Sequence, residues 1–76
     1  MSFKIIKSTN LGAANYDAAT QMLIVQFKNG TQYRYPKVSP ELYREFEATF
    51  GGENGASAGK FFHANIKHLP CDKIEE

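Results

Sequence analysis

An Asn29-Gly30 pair between two runs of alternating apolar residues constrains the fold more than any other feature of the sequence. Residues 21–27 and 31–35 have the two-residue period and the β-branched and aromatic content of strands, which predicts a β-hairpin. A two-residue turn would mix polar and apolar side chains on both faces, whereas a three-residue loop with a left-handed Gly30 separates them. We therefore predict the three-residue loop, which places on one face Leu23, Val25, Phe27, Tyr33 and Tyr35.

Two more segments with strand character precede the hairpin. Residues 3–7 contain apolar and β-branched side chains, and residues 11–16 lead into a turn at residues 17–20. Pro36 ends the hairpin because it has no N–H group to donate to a central strand ladder. The first half of the chain is thus predicted to be an antiparallel meander of three to four strands.

The second half of the chain has two helix signals. Ser39 precedes Pro40 as a capping residue, and apolar residues follow at helical spacing as far as the glycines at 51–52. A second helix is predicted to begin after Ser57 and to end before residues 69–70, Leu-Pro. The predicted fold class is α+β, with the small antiparallel meander followed by two helices.

A chain of 76 residues is long enough for one domain only, so we assign residues 1–76 to a single domain. The core is expected to span about residues 3–70, and the charged segment 71–76 is expected to be a poorly ordered tail. Cys71 is the one cysteine, so no internal disulfide compensates for the limited burial. A homo-oligomer could supply additional burial.

Charge and hydropathy narrow the classes of function. No apolar run reaches the length of a membrane helix, and the N-terminal residues lack the apolar stretch of a signal peptide, so we expect a cytoplasmic protein with no membrane partner. Nine Lys and Arg residues balance eight Asp and Glu residues. A net charge of +1 argues against a strongly electrostatic nucleic-acid binder, so any recognition of charge must be local.

Many residues across positions 8–66 form a pattern of characteristic order and spacing: Ser8, Leu11, Asn15, Tyr16, Asp17, Leu23, Val25, Phe27, Gly30, Tyr33, Tyr35, Val38, Tyr43, Ser57, Gly59, Phe62 and Ile66. This pattern resembles the KTSC domain, a family named for its occurrence at the C-terminus of some lysyl-tRNA synthetases and also found as small bacterial and phage proteins. Asn15 stands where the family usually has Gly, and the loop at residues 51–56 looks longer than usual. The resemblance implies an α+β fold and a suspected nucleic-acid-binding role, with no assigned catalytic residues.

The strongest candidate site is the start of the second helix. If Ser57 caps this helix, free N–H groups and the positive end of the helix dipole meet there, Gly59 allows close approach, and Lys60 adds a cation. These features suit a phosphate, although the spacing is not that of a P-loop. The alternative is an ordinary capped helix in which Gly59 packs on the sheet. Lys67 and Arg34 complete the predicted ligand-binding set.

Other residues give little reason to expect catalysis. His63 and His68 are five positions apart and cannot form a closed zinc site, so we predict neither a metal nor another cofactor. Asp17 is assigned to its turn, and no activated nucleophile or acid–base pair is recognisable. Tyr33 and Tyr35 could stack on bases, but their phase favours a place in the core.

We therefore predict a non-catalytic binding module for a phosphate-bearing ligand, either a nucleic acid or a small nucleotide. One version is a phage protein that sequesters a nucleotide immune signal. The alternative is a protein–protein interaction module or an inhibitor of a host protein, with exposed aromatic side chains as anchors. Salt dependence separates nucleic-acid binding from the binding of a small ligand in a closed pocket.

Overall fold

An antiparallel meander forms the first half of the chain, as predicted. The computed structural model describes residues 3–8, 10–51 and 57–74. In chain order its elements are β1 (Lys4–Ile5), β2 (Leu11–Asp17), β3 (Met22–Phe27), β4 (Gln32–Tyr35), α1 (Pro40–Glu47), α2 (Ala58–Asn65) and β5 (Asp72–Ile74). Within these ranges the strands form one antiparallel sheet of five, ordered β1-β2-β3-β4-β5. The predicted α+β class is confirmed.

The hairpin has the predicted three-residue loop. Val25 pairs with Tyr33, and the N–H group of Phe27 donates to the carbonyl of Thr31 over 2.8 Å. The N–H group of Gly30 donates to the carbonyl of Phe27 over 2.9 Å, and Gly30 has a φ of 94°. This left-handed residue fixes the register that brings the apolar side chains of both strands onto one face.

Both helices pack on that face and bury its apolar side chains. The residues of this core cluster are Ile6, Leu11, Ala14, Leu23, Val25, Tyr35, Val38, Phe46, Phe50, Ala58, Phe62 and Ile66. Tyr35 lies in the core with only 2% of its surface exposed, as its phase predicts, whereas Tyr33 is only partly buried. Tyr33 therefore keeps part of its side chain at the surface.

The predicted caps begin both helices. The Ser39 hydroxyl accepts a hydrogen bond from the Leu42 N–H group, and the Ser57 hydroxyl accepts one from the Lys60 N–H group, each over 3.2 Å. The helical run of α1 ends at Glu47, earlier than the apolar spacing suggests, and turns continue the chain to residue 51. The caps thus fix where the chain enters each helix.

A bulge in β2 shapes the side of the sheet next to α2. The pairing of β2 with β3 shifts between Leu11 and Ala13, with Gly12 between them. Beside this bulge, the N–H group of Lys28 donates to the carbonyl of Asn10 over 2.8 Å. The extra residue redirects the chain and ties the segment before β2 to the hairpin loop.

The C-terminal segment differs from the expectation of a poorly ordered tail. Residues 72–74 form β5, in which Asp72 pairs with Arg34 and Lys73 pairs with Tyr33. Without β5, β4 would present unpaired backbone groups at an open edge, and pairing satisfies them. Residues 75–76 of the predicted tail lie outside the described residues.

The loop at residues 51–56 is the one that looks longer than is usual in the family. Residues 52–56 of this loop also lie outside the described residues. In the ranges that the structure covers, no helix has the length and apolar character needed to cross a membrane.

Candidate functional site

The first turn of α2 contains backbone N–H groups that can donate hydrogen bonds. The N–H group of Lys60 bonds to the Ser57 hydroxyl, and that of Phe61 bonds to the Ser57 carbonyl over 3.0 Å. Within the described part of the chain, the N–H groups of Ala58 and Gly59 have no hydrogen-bond partner. Backbone donors at the N-terminal end of a helix carry the partial positive charge of the helix dipole.

Gly59 faces the segment before β2. A Cβ atom at Gly59 would lie 3.5 Å from the Ser8 hydroxyl oxygen and 3.9 Å from that of Ser57, which is ordinary van der Waals contact. The Ser8 oxygen accepts from the N–H groups of Asn10 and Leu11, each over 3.3 Å. Packing therefore does not require a glycine here, because a methyl group at this position would make ordinary contacts with Ser8 and Ser57.

A surface cavity of about 760 Å³ lies between these two segments. We call it the anion groove; its lining residues are Lys7, Ser8, Asn10, Ser57, Gly59, Lys60, His63 and Ala64. Lys7 and Lys60 come from different segments of the chain, and both line it. The groove thus combines two cations, two hydroxyl groups and the N-terminal end of a helix.

Two further cavities continue from the anion groove. The middle cavity, about 370 Å³, is lined by Asn10, Leu11, Phe27, Lys28, Asn29, Gly59, Phe62 and His63. The aromatic cavity, about 440 Å³, is lined by Phe27, Asn29, Thr31, Tyr33, Tyr35, Phe62, Lys67, Cys71 and Lys73. Neighbouring cavities share lining residues, so the three follow one another along the side of α2.

The structure brings together only part of the predicted ligand-binding set. Ser57, Gly59 and Lys60 meet in the anion groove. Lys67 lines the aromatic cavity instead, at the other end of the series. Arg34 alternates with the inward-facing tyrosines of β4 and so lies on the opposite face of the sheet, with its Nη2 atom 3.9 Å from Asp72 Oδ2.

Sequence reasoning missed Lys7 and Asn10 as lining residues. They are distant from α2 in the sequence, and only the course of the chain into β2 brings them to the groove. Ser8 was visible only as a position in the family pattern. No local motif identifies such a contact, because it depends on how a loop and a helix pack.

Positive charge concentrates along the three cavities. Five of the nine Lys and Arg residues line them, namely Lys7, Lys28, Lys60, Lys67 and Lys73. Among the described residues, no aspartate or glutamate lines any of the three. The near-neutral chain therefore has a locally basic surface.

The perturbed phenols belong to the core rather than to proton-transfer chemistry. Burial raises the pKa of Tyr43 to about 12, with the nearby Glu47 carboxylate as the second cause. Burial also raises the pKa of Tyr35, assisted by the adjacent Cys71 thiol. Both phenols are protonated at neutral pH. The described residues contain no group of three or more His, Cys, Asp or Glu side chains that could hold a metal ion.

The antiparallel meander, the two helices on one face and the returning edge strand define a small α+β domain. The sequence model of the KTSC domain matches residues 7–69, so the chain belongs to the KTSC domain family. A protein of Tsukamurella paurometabola is 32% identical over 62 residues, which cover 82% of this chain and 84% of that protein. The crystal structure of a KTSC domain protein from Yersinia pestis matches with a TM-score of 0.82 and 28% identity, over 97% of each chain.

Proposed function

We propose that this domain is a non-catalytic binding module for a phosphate-bearing ligand, which it holds in the anion groove. The observation that carries the proposal is the convergence of Lys7, Lys60 and the α2 N-terminus on one cavity. A phosphate offers several strong acceptor oxygens and negative charge. Backbone donors at a helix N-terminus and ammonium groups match both properties.

The non-catalytic part of the proposal rests on the chemistry of the groove. His63 lines the groove, and histidine is a common acid or base in catalysis. Among the described residues, no carboxylate lines the groove beside it. Such a constellation can bind and orient an anion. It does not supply the paired acid and base, or the activated nucleophile, that hydrolysis or group transfer requires.

Calorimetric titration of adenosine triphosphate into the wild type and the Lys60→Ala variant tests the proposal. Loss of a charge-assisted hydrogen bond should weaken binding by about 1.5 to 3 kcal/mol. Lys37→Ala is the matched control, because Lys37 is exposed and lines none of the three cavities while its removal changes the net charge equally. Equal affinities for Lys60→Ala and Lys37→Ala would contradict the proposed site.

The proposal also places the protein in the cytoplasm, which is a reducing compartment, because Cys71 is a free and exposed thiol. Sequestration of a nucleotide immune signal by a phage protein is one role that a small non-catalytic binder of phosphates would serve. Such a role requires tight binding without turnover, so a nucleotide should be recovered unchanged after incubation with the protein.

A protein–protein interaction module is the second candidate, favoured by apolar exposure at the other edge of the sheet. Phe3 is 41% exposed and Ile5 is 76% exposed. Exposed apolar side chains can anchor a partner, including a second copy of the chain. Sedimentation over a wide concentration range tests the homo-oligomer: Ile5→Ser should shift the equilibrium towards monomer, and a wild type that stays monomeric would contradict self-association.

A further inference from the structure

The anion groove does not end at His63. The middle cavity shares Asn10, Gly59 and His63 with the anion groove. It shares a different set, Phe27, Asn29 and Phe62, with the aromatic cavity. The three cavities are therefore neighbours along α2, and we call this series of cavities the path; a ligand longer than one phosphate group can contact all three.

The aromatic cavity has rings whose orientation is fixed. Phe27 lies edge to face with Tyr33, with ring centroids 5.7 Å apart and planes at 81°. Phe27 also lies edge to face with Phe62, with ring centroids 5.6 Å apart. Phe27 and Tyr33 are only partly buried and line the cavity. Partly exposed rings held in place are suited to stacking on a flat ligand group such as a nucleobase.

Cations line the aromatic cavity as well as the anion groove. Lys73 is the cross-strand neighbour of Tyr33, and it lines the aromatic cavity together with Lys67. Lys7 and Lys60 line the anion groove at the other end of the path. A pair of lysines therefore lines one end of the series, Lys28 lines the middle, and aromatic rings line the other end together with a second pair of lysines.

We infer that the ligand of this path is a single-stranded oligonucleotide. An unpaired base packs against Phe27 and Tyr33, and the phosphates on either side bind the two lysine pairs. The inference rests on the proposed function, since it assigns one phosphate to the anion groove. A duplex does not fit this arrangement because its bases are paired and stacked within the helix. A mononucleotide has no second phosphate linkage to reach the far lysines.

Binding of octathymidylate to a set of variants tests this inference. Tyr33→Leu and Lys73→Ala should each lower the affinity about tenfold or more, because the first removes a stacking ring and the second removes a cation that binds phosphate. Tyr33→Phe keeps the ring and should retain the wild-type affinity. Lys37→Ala again controls for net charge, and circular dichroism establishes that each variant is folded. If Tyr33→Leu does not fold, Lys73→Ala with the ligand series below decides the question.

The ligand series separates phosphate binding from base binding in the wild type. An abasic octamer has the phosphates without the bases, so it should bind at least about tenfold more weakly than octathymidylate. Thymidine monophosphate should also bind far more weakly. Removing one lysine that neutralises a phosphate should reduce the slope of log affinity against log salt by about 0.7 for a single strand. Lys60→Ala and Lys73→Ala should both show this reduction, and Lys37→Ala should not.

The outcomes distinguish the inference from the proposed function. If only Lys60→Ala weakens binding and the abasic octamer binds as tightly as octathymidylate, the oligonucleotide inference is overturned while the phosphate site stands. If Lys60→Ala binds both adenosine triphosphate and octathymidylate like the wild type, both proposals are overturned.

Discussion

The α1 end of the domain and the α2 end differ, although both helices pack on the same face of the sheet. Around α1, Tyr16 stacks on Tyr43 with ring centroids 4.3 Å apart, and Phe46 meets Phe50 edge to face at 4.8 Å. Around α2, three neighbouring cavities are lined by residues of the helix together with residues of the hairpin loop or of the segment before β2. Aromatic packing closes one end, whereas the other remains accessible to a ligand.

Charge follows the same division. The helix α1 carries Glu41, Glu45 and Glu47, whereas α2 carries Lys60 and no acidic residue. Lys4 forms an ion pair with Glu47 at the α1 end. The net charge of +1 is thus a sum in which the acidic residues of α1 offset the lysines that line the cavities. For a domain of this size, the distribution of charge says more about a ligand than its sum does.

The largest expected contrast concerns core packing. Phe46→Ala should lower the free energy of unfolding by about 3 to 5 kcal/mol, because Phe46 is fully buried between the helices. Phe27→Ala should lower it less, since Phe27 lines cavities and is partly exposed. Urea unfolding measures both, with exposed Glu45→Ala as the control. A greater loss for Phe27→Ala would reverse the contrast between the two ends.

The elements that the sequence predicts correctly are those with local signals. The hairpin register follows from the alternation of apolar residues and the single left-handed position at Gly30. The helix starts follow from the hydroxyl caps at Ser39 and Ser57. Gln21 is different, because it adopts a φ of 58° that no turn motif indicated. Its carbonyl accepts from the Val38 N–H group over 2.9 Å, so a distant contact helps to hold it there.

The remaining features depend on contacts between segments that are far apart in the sequence. Residues 72–74 have no strong strand pattern and become β5 by pairing with the edge of β4. Lys7 and Lys73 line opposite ends of the cavity series because the fold brings their segments next to residues that are distant in the sequence. Such contacts are set by tertiary packing, which overrides or supplements local propensity. The candidate site could therefore be predicted at the start of α2 but not at its other walls.

A smaller effect is expected from a single hydroxyl at the α1 end. The Tyr16 hydroxyl donates to the carbonyl of the buried Val38 over 2.6 Å. Tyr16→Phe should lower the free energy of unfolding by about 1 to 3 kcal/mol, because it leaves a buried acceptor without this donor. Tyr43→Phe is the control, since its hydroxyl makes only a 3.5 Å contact with Glu47. Equal losses for the two variants would show that the Val38 contact has no special importance.

At the α2 end, Gly59→Ala should separate stability from binding. Alanine should raise the free energy of unfolding by up to about 1 kcal/mol, because alanine has a higher helix propensity than glycine and its Cβ atom would make ordinary contacts. The same methyl group enters the anion groove, so the affinity for adenosine triphosphate should fall. Unfolding and calorimetry on one protein sample measure both. A variant that is more stable and binds unchanged would show that Gly59 serves no ligand.

A pH dependence is also expected at the α1 end. The pKa of Tyr43 is raised from 10.0 to about 12 in the folded protein, so the protonated phenol stabilises the fold. This contribution is fully present below pH 10 and is lost as the pH rises through about 12. Tyr43→Phe should therefore show a shallower decline in the free energy of unfolding across this range. Superimposable profiles for wild type and variant would contradict the assignment.

The most direct test of the central claim is to map ligand contacts on the wild-type protein by nuclear magnetic resonance. Titration with adenosine triphosphate should shift the amide signals of Ala58 and Gly59 most, because their N–H groups lie at the proposed phosphate site. Signals of Ser8 and Lys60 should follow, and those of Glu45 on α1 should stay in place. Shifts centred on α1, or no shifts at all up to saturating ligand, would contradict a phosphate site in the anion groove.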